Sequence, residues 1–135
     1  MLTNYLALDV GRARIGVALA NNVARIASPV TAVMNNEHVW ESLAKLVAEN
    51  QVKLVIVGWP RGLNGQETEQ TQYVATFVEN LQRELDVEVK LQDEAVTSVQ
   101  AEAELQQRGK NYEKGDIDSL SAVYILDDFL QEGVH

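Results

Sequence analysis

The sequence predicts an α/β domain, one sheet with helices on both faces, and three observations carry that prediction. Tyr5–Leu8 and Ile15–Ala20 are apolar runs separated by a short Val10–Arg14 segment with one glycine and two arginines, which reads as a hairpin. Val52–Val57 is a nearly continuous aliphatic run, the pattern of a strand buried on both faces. Between and after these runs lie amphipathic segments with apolar residues at helical spacing.

At 135 residues the chain suits one domain spanning 1–135, and 46% hydrophobic content is enough for an ordered core. It has no cysteine, so disulfides and thiolate metal sites are excluded and a cytoplasmic setting is the expectation. No apolar run approaches the roughly 20 residues a membrane helix requires. Asp9 and Arg12 interrupt anything resembling a secretory leader. The net charge of −9 disfavours nucleic acid if taken as a sum. It is unevenly spread: residues 1–65 carry six basic and four acidic side chains, residues 66–135 five basic and sixteen acidic. Arg12, Arg14, Arg25 and Arg61 flank predicted loops in the basic half.

In order, Asp9 closes the first strand, and Gly11 gives the chain freedom to reverse. Val23–Ile26 and Val30–Val33 read as edge strands interrupted by Ser28-Pro29. Asn35 or Asn36 is expected to cap a helix from about Glu37 to Glu49, with His38 a surface or capping residue. After the Val52–Val57 strand, Gly58-Trp-Pro-Arg-Gly-Leu-Asn-Gly65 is expected to be an exposed loop. Thr68–Leu85 is an amphipathic helix with a Tyr73, Val74, Phe77, Val78, Leu81, Leu85 stripe. Val87–Leu91 is a strand that delivers Asp93 and Glu94 to its end, and a helix starts near Thr97 or Ser98. A polar, mobile loop is expected over 106–116, then a last helix from Ile117 to Leu130 with Leu120, Val123, Tyr124, Leu126 and Phe129 inward.

Three acids fall at element ends: Asp9, Glu94 and, in the first turn of the last helix, Asp118. Carboxylate oxygens are what magnesium and manganese prefer, and a few of them leave water positions open on the ion. Two such ions would activate a water and stabilise the leaving oxygen of a phosphodiester. Asp93 is an alternative to Glu94, and Asp118 is equally read as an acid favouring the helix dipole.

Asp9-Val-Gly-Arg-Ala-Arg-Ile-Gly-Val-Ala18 resembles the opening motif of the YqgF/RuvX family, ribonuclease-H-like proteins described as pre-16S rRNA nucleases and as candidate Holliday junction resolvases. Further blocks match in order: Ala27-Ser-Pro29, Val57–Gly65, Asp93-Glu94 with Thr97-Ser98, and Asp118–Leu126. The resemblance covers nearly the whole chain. It implies a ribonuclease-H-like fold with a five-stranded mixed sheet. It also implies that Asp9, Glu94 and Asp118 carry hydrolysis dependent on Mg2+ or Mn2+. Phosphate contacts are then expected from Arg12, Arg14, Arg61, Lys110 and Lys114. Loop backbone at Gly11, Gly58, Gly62 and Gly65 would add amide contacts. Two departures stand out. Ala95 replaces a common arginine, removing a phosphate contact or a partner for the glutamate, and Asn21-Asn22 replaces a Ser-Asp-Pro-like turn.

The expected partner is structured RNA, precursor 16S rRNA within small-subunit precursors, handled by a monomer or weak dimer. The alternatives are resolution of branched DNA and a non-catalytic role in ribosome biogenesis.

Overall fold

The computed structural model describes residues 2–60, 66–94 and 114–132, with backbone alone for 114–116. Five strands, β1 (Asn4–Val10), β2 (Arg14–Asn21), β3 (Ser28–Met34), β4 (Val52–Pro60) and β5 (Glu88–Glu94), form one sheet in the order β3-β2-β1-β4-β5. β1, β2 and β3 pair antiparallel, whereas β4 and β5 run parallel to β1. The helices are α1 (Val39–Glu49), α2 (Glu69–Glu84) and α3 (Lys114–Gln131). This mixed five-stranded sheet with flanking helices is the ribonuclease-H-like arrangement the sequence led us to expect.

Alternation along the strands makes two unequal cores. Leu6, Leu8 and Val10 of β1 face α1 and α2, together with Ile15, Val17, Val55, Val57, Leu43, Val74, Phe77 and Leu81. Tyr5 and Ala7 face α3, joined by Ala18, Ala20, Leu54, Ile56, Ala122, Ile125, Leu126 and Phe129. Trp40 packs on Phe77 with ring centres 4.9 Å apart, a core role. Thr68 closes a capping box with Thr71 at the start of α2, and Thr71 Oγ1 also donates to the Pro60 carbonyl at 2.5 Å, anchoring the helix to the end of β4.

Several expectations need correction. Val23–Ile26 is not a strand. The Asn21 side chain accepts from the amides of Val23 and Ala24, and Arg25 takes φ 54°, so the chain turns there. Ser28-Pro29 instead opens β3, where an edge strand tolerates the missing amide. Asn35 and Asn36 do not cap α1: His38 holds the cap position without a side-chain bond, while Asn36 closes a local turn onto the His38 amide. Gly58, Trp59 and Pro60 extend β4 rather than beginning a loop, because each pairs with β5. Lys114–Asp116 belongs to α3, not to the expected 106–116 loop. On α3, Ile125 is buried and was missed, while Leu120, Val123 and Tyr124 are only half-buried. The expected helix near Thr97 lies outside the described residues. Among the described residues, no helix is long and apolar enough to cross a membrane.

Candidate active site

Asp9 sits on the α3 face at the rim of the sheet, with glycine as its neighbour on either side. It pairs with Gly16 of β2. One step past the Leu8–Val57 pair, Gly58 of β4 lies on its other flank and pairs in turn with Gln92 of β5. The acid is thus flanked by two residues without side chains, in a row that α3 covers. Burial, and then the charge of Asp118, raise its pKa from 3.8 to about 6, against a smaller opposing effect of the Ser121 hydroxyl. Ser121 is fully buried, and its Oγ has no hydrogen-bond partner of normal geometry.

Asp118 arrives on the first half of α3. Arg14 Nε donates to its Oδ2 at 2.8 Å, a pair in which both side chains are partly exposed. The next residue, Ser119, donates to the Val30 carbonyl at 2.6 Å, so β2 and β3 together hold this turn of the helix. Further along, Ile125 covers Gly58 and Phe129 meets Tyr5 edge-on. Arg25 caps the far end by donating to the Leu130 carbonyl.

Glu94 ends β5 on the same face, in phase with Gln92, but is directed to the other end of α3. Its carboxyl is pushed up to about 9, first by burial, then by a hydrogen bond to and the charge of Asp128, then by Glu132 and Asp9. Its Oε1 is buried without a hydrogen-bond partner. Asp128 lies ten residues beyond Asp118, about 15 Å along a helix. Accordingly, among the described residues no three acids converge closely enough to grip one ion. Asp9 and Asp118 are brought together; Glu94 reaches Asp9 only at longer range. Asp93 pairs with Trp59 and, by strand alternation, belongs to the opposite face.

Sequence reasoning overlooked Asp127, Asp128 and Glu132. Asp127 is raised by burial and then by Asp128, and Glu132 accepts from buried Gln92 at 2.8 Å. The i, i+4 spacing of Asp128 and Glu132 was the available signal. Beside them an open hollow of about 500 Å³ is lined by Trp59, Leu91, Gln92, Asp93 and Glu132. Carboxylate oxygens are the donor type a hard divalent cation takes, and here they are divided, Asp9 with Asp118 at one place and Glu94, with its orphaned oxygen, beside Asp128 at another.

Cations frame the acids. Arg12 lies 4.5 Å over the Tyr73 ring, whose hydroxyl accepts from Asn35 Nδ2 at 2.8 Å. Asn35 Nδ2 also donates to the Gly11 carbonyl at 2.8 Å, and Gln70 Nε2 to that of Val10 at 2.9 Å, so the β1–β2 turn is braced from α2 and the β3–α1 connection. Arg14, expected on phosphate, is engaged with Asp118. Gly58 is strand backbone under Ile125, not loop. Arg61, Gly62, Gly65 and Lys110 lie outside the described residues, and Lys114 is described by its backbone at the start of α3.

Comparison with solved structures finds the same fold at low identity. The Thermus thermophilus RuvC in complex with a Holliday junction substrate matches at TM-score 0.61 and 13% identity, over 98% of this chain and 97% of that one. The fowlpox virus Holliday junction resolvase matches at 0.56 and 10% identity, over 98% and 100%. Sequence relatives are nearer. A candidate pre-16S rRNA nuclease of Sulfurihydrogenibium sp. (strain YO3AOP1) is 39% identical, covering 96% of this chain and 90% of its own. That of Chloroflexus aggregans is 40% identical, over 93% and 91%. With residues 3–132 also matching the family model described as RuvX, Holliday junction resolvase, the chain belongs to the YqgF/RuvX family of ribonuclease-H-like nucleases.

Proposed function

We propose that this protein is a divalent-metal-dependent nuclease that trims precursor 16S rRNA. The observation that carries the reading is the Asp9–Asp118 pair: two carboxylates held together at a sheet rim, one of them raised to about 6 by burial and by the other's charge. Asp9 and Asp118 would hold Mg2+ or Mn2+, with Glu94 as the third acid once it turns from Asp128. When bound, such an ion supplies an activated water and charge neutralisation at the scissile phosphate. Arg14 keeps Asp118 aimed at the rim. Arg12, pinned on Tyr73, offers its guanidinium edge to a phosphate of the substrate backbone. The relatives named as candidate pre-16S rRNA nucleases favour RNA. The family description favours a branched-DNA substrate as the second reading.

The test is cleavage of a labelled precursor rRNA fragment spanning the end of the small-subunit RNA, with magnesium, manganese and chelator arms, beside a four-way DNA junction. Metal-dependent RNA cuts that vanish in Asp9→Asn support the reading. Cleavage of the junction alone transfers the protein to the second reading. No cleavage of either, with no ion bound in titration calorimetry, overturns both.

A further inference from the structure

We propose that Gly16 is a positioning residue of the active site: its missing side chain lets the first half of α3 rest on β2, and that contact sets the separation between Asp9 and Asp118. The inference rests on the nuclease reading above and deepens it. Gly16 is the strand partner of Asp9 and the seat of Asp118, so one residue touches the backbone of both acids. A Cβ built at Gly16 would stand 1.8 Å from the Asp118 carbonyl oxygen, 2.2 Å from its carbonyl carbon and 3.0 Å from its Cα. These are backbone atoms that cannot rotate aside. An ordinary contact needs 3.4 Å or more, so any side chain would drive the strand and helix apart by more than an ångström.

Gly16 has no positive φ, and although the β2–β3 ladder shifts register between Ile15 and Val17, the extra residue of that bulge belongs to β3, so the bulge does not itself demand glycine on β2. The neighbouring ties are short and leave little slack: Arg14 holds the Asp118 carboxylate and Ser119 holds Val30. Gly58 is the instructive contrast. A Cβ there would meet Ile125 Cδ1 at 2.4 Å, the far end of a flexible side chain that can turn away. Space is therefore rigidly required beneath Asp118 and only softly beneath Ile125. Misplacement of catalytic groups by about 1 Å can cost roughly a hundredfold in rate.

The experiment compares the full chain with Gly16→Ala, Asp118→Glu and the double variant, reading manganese affinity by titration calorimetry, melting temperature, and cleavage of the rRNA fragment. Gly16→Ala is expected to weaken manganese binding about 10–100-fold. Asp118→Glu alone is expected to weaken it too, because the longer acid overshoots a gap already set. In the double variant the extra methylene adds roughly 1.5 Å of reach and should restore at least part of the affinity and cleavage, while leaving the melting temperature no higher than in Gly16→Ala. General destabilisation would not produce that rescue. Manganese binding by Gly16→Ala equal to the parent, or a double variant no better than Gly16→Ala, overturns the proposal. If Gly16→Ala does not fold, Asp118→Glu decides: parental affinity there means the spacing is not set and the proposal fails. A parent chain that binds no manganese removes the nuclease reading and this inference with it, whereas loss of the rescue alone leaves the nuclease reading standing.

Discussion

The two faces of the sheet are built to different specifications. Against α1 and α2, the strands present Leu6, Leu8, Ile15, Val17, Val55 and Val57, and the helices answer with Leu43, Val74, Phe77 and Leu81. Against α3 they present Tyr5, Leu54 and Ile56 to Leu126 and Phe129, but beside these stand Ala7, Ala18, Ala20 and, at the rim, Gly16, Asp9 and Gly58, answered by Ser121, Ala122 and Ile125. Large aliphatic side chains bury more area and space the layers apart. Small ones bring helix backbone close to strand backbone, which is what a pair of acids on separate elements requires. The first face supplies stability; the second gives some of it up by burying the Asp9 carboxylate beside the partly exposed Asp118.

The largest effect that would sharpen this contrast is on activity. Asp9→Asn should abolish metal-dependent cleavage, a loss of several kcal/mol of transition-state stabilisation or roughly a thousandfold, while the fold persists by circular dichroism. Residual cleavage near the parental rate would break the contrast at its centre. Next comes Leu81→Ala on the other face, where the side chain is 1% exposed. It should cost about 2–5 kcal/mol in denaturant unfolding and leave manganese affinity unchanged below the transition.

The pH dependence offers a finer test. Because the Asp9 pKa is raised from 3.8 to about 6, the folded protein binds that proton more tightly than the unfolded chain does. The charged form therefore opposes folding at neutral pH, and the handicap disappears as pH falls through 6 toward 4. In chelator at pH 8, Asp9→Asn should be the more stable protein by up to about 3 kcal/mol, with the gap closing by pH 4. A parent more stable than Asp9→Asn at pH 8 would show that Asp9 is a structural acid. The smallest stability change belongs to Arg14→Gln. Its ion pair with Asp118 is partly exposed, so the free energy of unfolding should change by less than about 1 kcal/mol. Cleavage should still fall about tenfold, through loss of aim at Asp118.

How much of this was legible beforehand follows the range of the interaction concerned. Val52–Val57 declared itself because burial on both faces leaves no polar phase, and Asp9 because it is the lone acid ending an apolar run. The extent of α2 and its apolar stripe are local and were readable, whereas the Thr68–Thr71 capping box that starts it was not called. The turn at Asn21–Arg25 was misread because Val23 and Ile26 look like strand residues, yet are 72% and 69% exposed. A side-chain turn outweighed their β propensity. Ile125 was missed because its burial depends on a hole, Gly58, that only the crossing of α3 over β4 reveals. Glu94 was placed on the right rim, but its engagement with Asp128 and Glu132 depends on where α3 ends. No spacing within the chain encodes that. Gly16 is readable in the sequence as a place for close backbone approach, but that the approaching backbone is that of Asp118 shows only once α3 is in place.

The Arg14–Asp118 bond joins residues 104 positions apart. Synthesis runs from the N-terminus, so β1 and Asp9 emerge well before α3. Loop closure over such a distance must await the emergence of α3, and non-local contacts of this kind form late. Until then the nascent polypeptide carries half of a carboxylate pair. On the function proposed above, a protein that cuts ribosomal RNA would thereby be made on a ribosome in an unarmed form, and would acquire its acid pair only as α3 settles onto β2.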